Sequence, residues 1–167
     1  MFLIDNGIDS GDILAQETYY IGENDYAQDV CDNADVAAIK AARTMFKQMM
    51  DGTLKPIKQD DSKATYTLKR TPEDGVVDWS LPIDKLHLFI RAISRPYPGA
   101  FSMYDGKHKV IIYRAEKLEN NKYFGFNGQI EEINKDNFVI VCEGGLLKVT
   151  DYENVDNVKL IVGHRFK

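Results

Sequence analysis

Between residues 5 and 12 the chain reads Asp5-Asn6-Gly7-Ile8-Asp9-Ser10-Gly11-Asp12, a carboxylate-rich loop with two glycines ahead of an apolar run. Three roles suit such a loop in principle. A calcium site fails on spacing, because Asp5, Asp9 and Asp12 lie four and three apart and no bidentate Glu follows at the EF-hand offset. A solvated turn needs nothing more than these residues. General acid–base chemistry needs one carboxylate held beside a pocket, where it can steer a proton. Asp9 is the best placed for that, since Gly7 and Gly11 on either side let the backbone approach a ligand closely. The residues alone leave the turn and the acid–base site both open.

Little else in the chain carries chemistry by spacing. His87, His108 and His164 show no ligand spacing to one another or to the cysteines. Cys31 falls in a helical pattern and Cys142 in a strand pattern, far apart and outside any CxxC. Both read as buried small hydrophobes, with no disulfide and no metal site expected. There is no Ser/His/Asp order and no phosphate-cradling glycine loop.

The elements that must position the loop fall into three stretches. In residues 1–58 the loop is followed by a strand-like run, Ile13 to Ile21, bounded by Gly22. Asp25 with Gln28 has the spacing of a capping box. From there Tyr26, Val30, Ala34, Ala38, Ala41, Met45 and Met49 recur every three or four residues, which predicts a long helix ending at Asp51-Gly52 before Pro56. One strand and one helix leave that helix little to bury against, so the stretch reads as the end of a larger α/β domain. Residues 59–97 read as a linker with a docking helix. The turn Pro72-Glu73-Asp74-Gly75 precedes Trp79, and Leu81, Ile83, Leu86, Phe89, Ile90 and Ile93 mark an amphipathic helix starting near Pro82. In residues 98–167 the pattern turns to short strands: Ala100–Tyr104 and Lys109–Ala115 around Asp105-Gly106, Gly128–Asn134 and Phe138–Glu143, then Leu146–Asp151 after Gly144-Gly145. That spacing predicts a small OB-like β-barrel. His164 and Arg165, near the last residue, are expected to be disordered surface.

Composition narrows the functional classes. With 167 residues, 44% of them hydrophobic and 28% charged, the chain has enough apolar material for one ordinary core or two small lobes, and disorder is excluded. No uncharged apolar stretch approaches the ~20 residues of a membrane span. Met1-Phe2-Leu3-Ile4-Asp5 lacks the basic start of a secretory signal, so a cytoplasmic location and no membrane partner are expected. Twenty-one basic against 26 acidic residues give a net charge of -5, the wrong balance for a typical nucleic-acid module.

Ile8-Asp9-Ser10-Gly11-Asp12-Ile13-Leu14-Ala15-Gln16 resembles the Asp-x-Gly loop and following strand of formyltransferases that use 10-formyltetrahydrofolate. Lys69 to Gly75, Asp78-Trp79-Ser80, Ile90-Arg91-Ala92 and Arg95-Pro96-Tyr97-Pro98-Gly99-Ala100-Phe101 follow in the order seen in that family. The resemblance covers nearly the whole chain but only the second half of such an enzyme. It implies an α/β remnant, the end of a Rossmann-like formyltransferase domain, followed by a small C-terminal OB-like β-barrel. Within the family the motifs Arg70-Thr71-Pro72-Glu73-Asp74-Gly75 and Pro96 to Phe101 look more like enzymes acting on nucleotide-linked amino sugars than like methionyl-tRNA formyltransferases.

The family's catalytic set is an Asn, a His and an Asp, and only the Asp has a counterpart here, Asp9. In the intact family a neutral amine attacks the formyl carbon through a tetrahedral intermediate, with the Asn and His stabilising the oxyanion. The resemblance then gives Asp9 the task of orienting the His, holding a proton or ordered water, and helping the attacking ammonium lose its proton. It places the backbone of Asp5, Asn6, Gly7 and Ile8 against the pterin ring of 10-formyltetrahydrofolate, the co-substrate, with no metal. Lacking the Asn and His, this stretch alone is expected to be inactive.

Arg91 can either reach a nucleotide phosphate or pair with a linker acid such as Asp78, and Trp79 can either stack on a base or pack at the junction. The acceptor is expected to be a nucleotide-linked amino sugar. The alternatives are initiator tRNA, and a non-catalytic β-barrel interaction module. A homodimer through an exposed barrel edge is left open.

Overall fold

The alanine-rich periodic run becomes a helix because nothing in it breaks one for seven turns. In the computed structural model, which describes residues 1–119 and 122–167, α1 spans Ala27–Met50. Gly52 ends it with φ of 66°, and the amides of Thr53 and Leu54 donate back to Gln48 O, as a left-handed glycine cap requires. Ala34, Ala37, Ala41 and Met45 lie on the covered face, whereas Ala38 and Met49 of the predicted stripe are exposed. The chain divides into two contact units. One holds residues 1–23 and 29–69, the other residues 24–28 and 70–167.

In the first unit the run after the loop does not become a strand. Ile13 alone makes isolated bridges, to Phe2 and to Ile57, the latter with both amides donating (2.8 and 2.9 Å). Residues 14–21 have no ladder among the described residues, and Tyr20 and Ile21 are exposed. Apolar periodicity supplies a strand's faces but not its neighbour, and pairing decides the element. The expected α/β remnant of a Rossmann-like domain is therefore represented by α1 but by no paired strand among the described residues.

In the second unit Pro82 caps α2, Ile83–Ile93, which buries Ile83, Leu86 and Ile90. Five strands follow: β1 Ala100–Tyr104, β2 His108–Leu118, β3 Ile130–Ile133, β4 Phe138–Cys142 and β5 Gly145–Asn154. All pairs are antiparallel, in the order β1-β2-β5-β4-β3. Asp105 and Gly106 take positive φ in the β1–β2 turn, as the Asp-Gly signal predicts. Alternation in the last hairpin is clean. Phe138, Ile140, Cys142, Leu147 and Val149 face the main core with Leu86 and Ile90 of α2, while Val139, Val141 and Leu146 form a second cluster. Burial pushes the Cys142 thiol up to about 12, so it stays protonated.

The sheet is open, not the closed barrel expected. The edge strands β1 and β3 form no ladder with each other among the described residues, and β3 is short and shifts register against β4 between Ile130 and Glu132. Residues 163–167 bridge both edges instead. Met103 and Lys167 exchange amide bonds (3.1 and 3.0 Å), while Ile130 donates to His164 O and Gly163 to Ile130 O. The tail is thus ordered where disorder was expected. His164 Nδ1 pairs with Asp105 Oδ2 at 2.7 Å, and its ring stacks on Tyr104. Trp79 is packed rather than free to stack on a base, with its indole N–H donating to buried Ser102 Oγ at 2.9 Å.

Candidate functional site

The loop of residues 5–12 is built by its own side chains. Asp5 Oδ1 accepts from Gly7 N (2.9 Å) and Ser10 Oγ (2.8 Å), folding the chain back on itself. Leu3 N donates to Asp12 O at 3.0 Å and closes the base. Gly11 is obligatory, since a Cβ there would stand 1.7 Å from the Leu3 carbonyl oxygen. At the tip Asp9 adopts φ of 55°, a left-handed conformation that Asp tolerates better than most residues, and its carboxylate is exposed. The backbone of Asn6 and Ile8 is exposed and carries no hydrogen bond among the described residues.

What fixes the loop is a residue that spacing did not reveal. The Gln59 side-chain amide donates to Asp9 O and Gly11 O, both at 2.7 Å. It lies fifty positions from Asp9, and no sequence period links the two. Gln59→Ala is expected to leave α1 intact and to speed hydrogen exchange at the Leu3 amide about tenfold, two bonds of ~0.5–1.5 kcal/mol each being lost. Exchange unchanged at Leu3 would show that the loop holds without this clamp.

In the second unit the family-like motifs converge on one cavity of about 460 Å³. Arg70 to Pro72, Asp74 and Gly75 form one wall, Tyr97 to Gly99 the other, and Ala92 and Ile93 of α2 the floor. The first wall is locked by Asp74, whose Oδ2 accepts from Thr71 N (2.6 Å) and Thr71 Oγ1 (3.4 Å). Gly75 and Gly99 allow the walls to touch. A Cβ on Gly75 would lie 2.8 Å from Gly99 O, and Gly99 has φ of 89° with Tyr113 and Ile111 at 2.7 Å from its added Cβ.

Arg91 lies on the same helix and does not pair with Asp78. Its Nη1 donates to Asp25 O at 2.5 Å, and its Nε is buried without a partner among the described residues. The Asp78 carboxylate is taken by Ser80 Oγ (2.6 Å) and Ser80 N (2.9 Å), which holds it below the usual carboxylate range. Beside Arg91, Tyr26 and His87 converge on Ala115. Tyr26 Oη donates to Ala115 O at 2.9 Å, His87 Nε2 lies 3.0 Å from the same oxygen, and the Arg114 guanidinium covers the Tyr26 ring. Tyr26 thus precedes the helix it was predicted to begin.

Burial holds the His87 imidazole below its usual value, with the Arg91 and Lys117 charges adding to that and the Ala115 bond opposing it. The unfolded chain therefore takes up a proton near the ordinary value of about 6.5 while the folded imidazole resists it. Unfolding free energy is expected to fall as pH drops below about 6.5, and His87→Gln to flatten that fall. Denaturant titrations across that range check it; an unchanged slope in the variant would assign the acid sensitivity elsewhere.

With the loop and the cavity defined, comparison with known proteins settles the class. The formyl transferase C-terminal domain matches residues 69–159, and the chain belongs to the formyl transferase family. A methionyl-tRNA formyltransferase of Caldanaerobacter subterraneus subsp. tengcongensis is 31% identical over 169 aligned residues, covering 97% of this chain and 53% of that protein. The chain spans about half the length of this curated relative. The fold recurs among solved structures. HypX from Aquifex aeolicus in complex with tetrahydrofolic acid superposes with a TM-score of 0.76 at 20% identity, over 92% of this chain and 26% of that one. The N-formyltransferase from Helicobacter canadensis, in complex with folinic acid and dTDP-3-aminofucose, gives 0.61 at 20% identity over 91% and 54%. Among the described residues no helix is long and apolar enough to cross a membrane, and no acid, His or Cys cluster could hold a metal.

Proposed function

We propose that this chain is the C-terminal part of an enzyme that moves a formyl group from 10-formyltetrahydrofolate to the amine of a nucleotide-linked amino sugar. The observation carrying the reading is an exposed carboxylate, Asp9, at the tip of a loop clamped by Gln59, in a chain of the formyl transferase family. The loop suits a folate. Its backbone at Asn6 and Ile8, without a partner among the described residues, offers hydrogen bonds to the edge of a flat polar ring, and Gly7 keeps side chains out of the way. Asp5, already bonded to Gly7 and Ser10, shapes that edge rather than binding through its own carboxylate. The co-substrate supplies an activated one-carbon unit.

Asp9 accepts a proton from the attacking ammonium and orients the histidine that polarises the formyl oxygen. That histidine and the partnering asparagine have no counterpart among these 167 residues, so this stretch by itself does not catalyse. Arg91, the candidate for a nucleotide phosphate, is held by Nη1 on Asp25 O. A methionyl-tRNA acceptor is the second reading, favoured by the 31% identity with a methionyl-tRNA formyltransferase.

The deciding assay combines this chain with polypeptide supplying the asparagine and histidine. It offers 10-formyltetrahydrofolate with either a UDP- or dTDP-linked amino sugar or initiator methionyl-tRNA. Formyl amide on the sugar is the expected result. Formylation of the tRNA alone would replace the sugar by the second reading, and turnover by the isolated chain would overturn the assignment of the missing groups.

A further inference from the structure

Asn-Gly occurs twice in the chain, at Asn6-Gly7 and at Asn127-Gly128. An asparagine ahead of glycine can cyclise, because no Cβ shields the following amide nitrogen from the side-chain carbonyl carbon. How fast it does so depends on how free that nitrogen is, and the two places differ. Gly128 is buried, and its N–H donates to Val141 O at 2.9 Å. A Cβ there would lie 2.6 Å from Phe166 O and 3.2 Å from the Trp79 ring, so its backbone is packed as well. Asn6 and Gly7 are both exposed, and the Asn6 side chain has no partner among the described residues. The Gly7 N–H donates to a carboxylate, Asp5 Oδ1, at 2.9 Å, and Ser10 Oγ holds the same oxygen at 2.8 Å. A proton acceptor thus already sits on the nitrogen that must lose its proton.

We infer that Asn6 is a site of self-modification, converting to isoaspartate and aspartate with Asp5 as the proton carrier. The Gly7 nitrogen attacks Asn6 Cγ and forms a C–N bond while its proton passes to Asp5. The bond from Cγ to the side-chain nitrogen breaks, and that nitrogen takes the proton from Asp5 and leaves as ammonia. Water then opens the resulting succinimide at either carbonyl, with no oxidant or reductant involved. Opening at the main-chain carbonyl gives isoaspartate, which adds a methylene to the backbone and a carboxylate beside it. The consequence for activity rests on the formyl-transfer reading, in which the backbone of residue 6 meets the pterin. A loop lengthened at that residue loses the edge it offers.

The test incubates the full 167-residue chain at mildly alkaline pH and follows the peptides bearing residues 6 and 127 by mass. Labelling by an isoaspartyl methyltransferase identifies the isoaspartate. Conversion at residue 6 is expected to be about tenfold faster, or more, than at residue 127, where the Gly128 bond must first open. Asp5→Asn keeps an oxygen for Gly7 N and Ser10 Oγ but removes the base, and should slow conversion at residue 6 about tenfold. Asn6→Gln should abolish it, since cyclisation would need a larger ring, and leave residue 127 unchanged. Equal rates at the two places, or an undiminished rate in Asp5→Asn, would overturn the inference. The combined formylation assay separates the two claims. Isoaspartate at residue 6 with undiminished sugar formylation keeps the modification and sinks the loop's part in folate binding. Sugar formylation by a chain that stays unmodified at residue 6 throughout the incubation sinks the modification and keeps the function.

Discussion

Asp9→Asn is expected to lower kcat of the catalytically complete enzyme by roughly 10²–10⁴, the usual contribution of a positioned general base. The substitution is chosen for its backbone. Asp9 sits at φ of 55°, where Asn is tolerated and Ala or a β-branched residue adds strain. Asn also keeps the carbonyl that accepts from Gln59, since that bond is to the main chain. Size and loop geometry are thus retained and only the charge is lost. KM for the folate should change little, because the contacts proposed for the ring come from Asn6 and Ile8. A kcat within about threefold of wild type would mean that the carboxylate takes no part in proton transfer.

The largest stability effect is expected at the penultimate residue. Phe166→Ala should destabilise the second unit by ~3–5 kcal/mol and lower its unfolding midpoint by more than ~10 °C. Phe166 is 1% exposed, and its ring lies 5.6 Å from those of Tyr104 and Phe138 and 6.0 Å from that of Trp79. It therefore fills the gap between the two open edges of the sheet. Its backbone bond, Phe166 N to Gly128 O at 2.8 Å, survives the substitution, so the loss measures the ring. Nearby His164→Ala, which removes only an exposed contact to Asp105 and one face-on stack, should cost under ~1 kcal/mol. Thermal and denaturant unfolding of both variants gives the comparison. A Phe166→Ala loss below ~1 kcal/mol would show that the tail does not seal the core.

Elements with both a period and a local stop signal could be read from sequence. Helix α1 has its alanine spacing and Gly52, α2 has Pro82 and a strong apolar stripe, and the β1–β2 and β4–β5 hairpins have Asp105-Gly106 and Gly144. What depended on distant partners could not. Residues 14–21 have the composition of a strand, but pairing with something else makes a strand; among the described residues Ile13 makes β-bridges, while Leu14 and Ala15 reach no further than Met1 O. Closure of the sheet edges by residues 163–167 leaves no periodic trace, because a single aromatic in a short tail lies below any pattern signal. Single side chains divide the same way. Asp9 stands out by its flanking glycines, whereas Gln59 in the first unit and Tyr26 and His87 in the second act through main-chain oxygens far off in sequence. Main-chain acceptors carry no residue identity, so nothing in the sequence advertises them.

The most direct measurement is a crystal structure of this chain, with its complementing polypeptide, bound to 5-formyltetrahydrofolate. The account predicts the pterin edge on the Asn6 and Ile8 backbone and the formyl group within hydrogen-bond reach of Asp9 or of the histidine it orients. A folate seated away from residues 5–12, or an Asp9 carboxylate turned into bulk water with the folate in place, would contradict it.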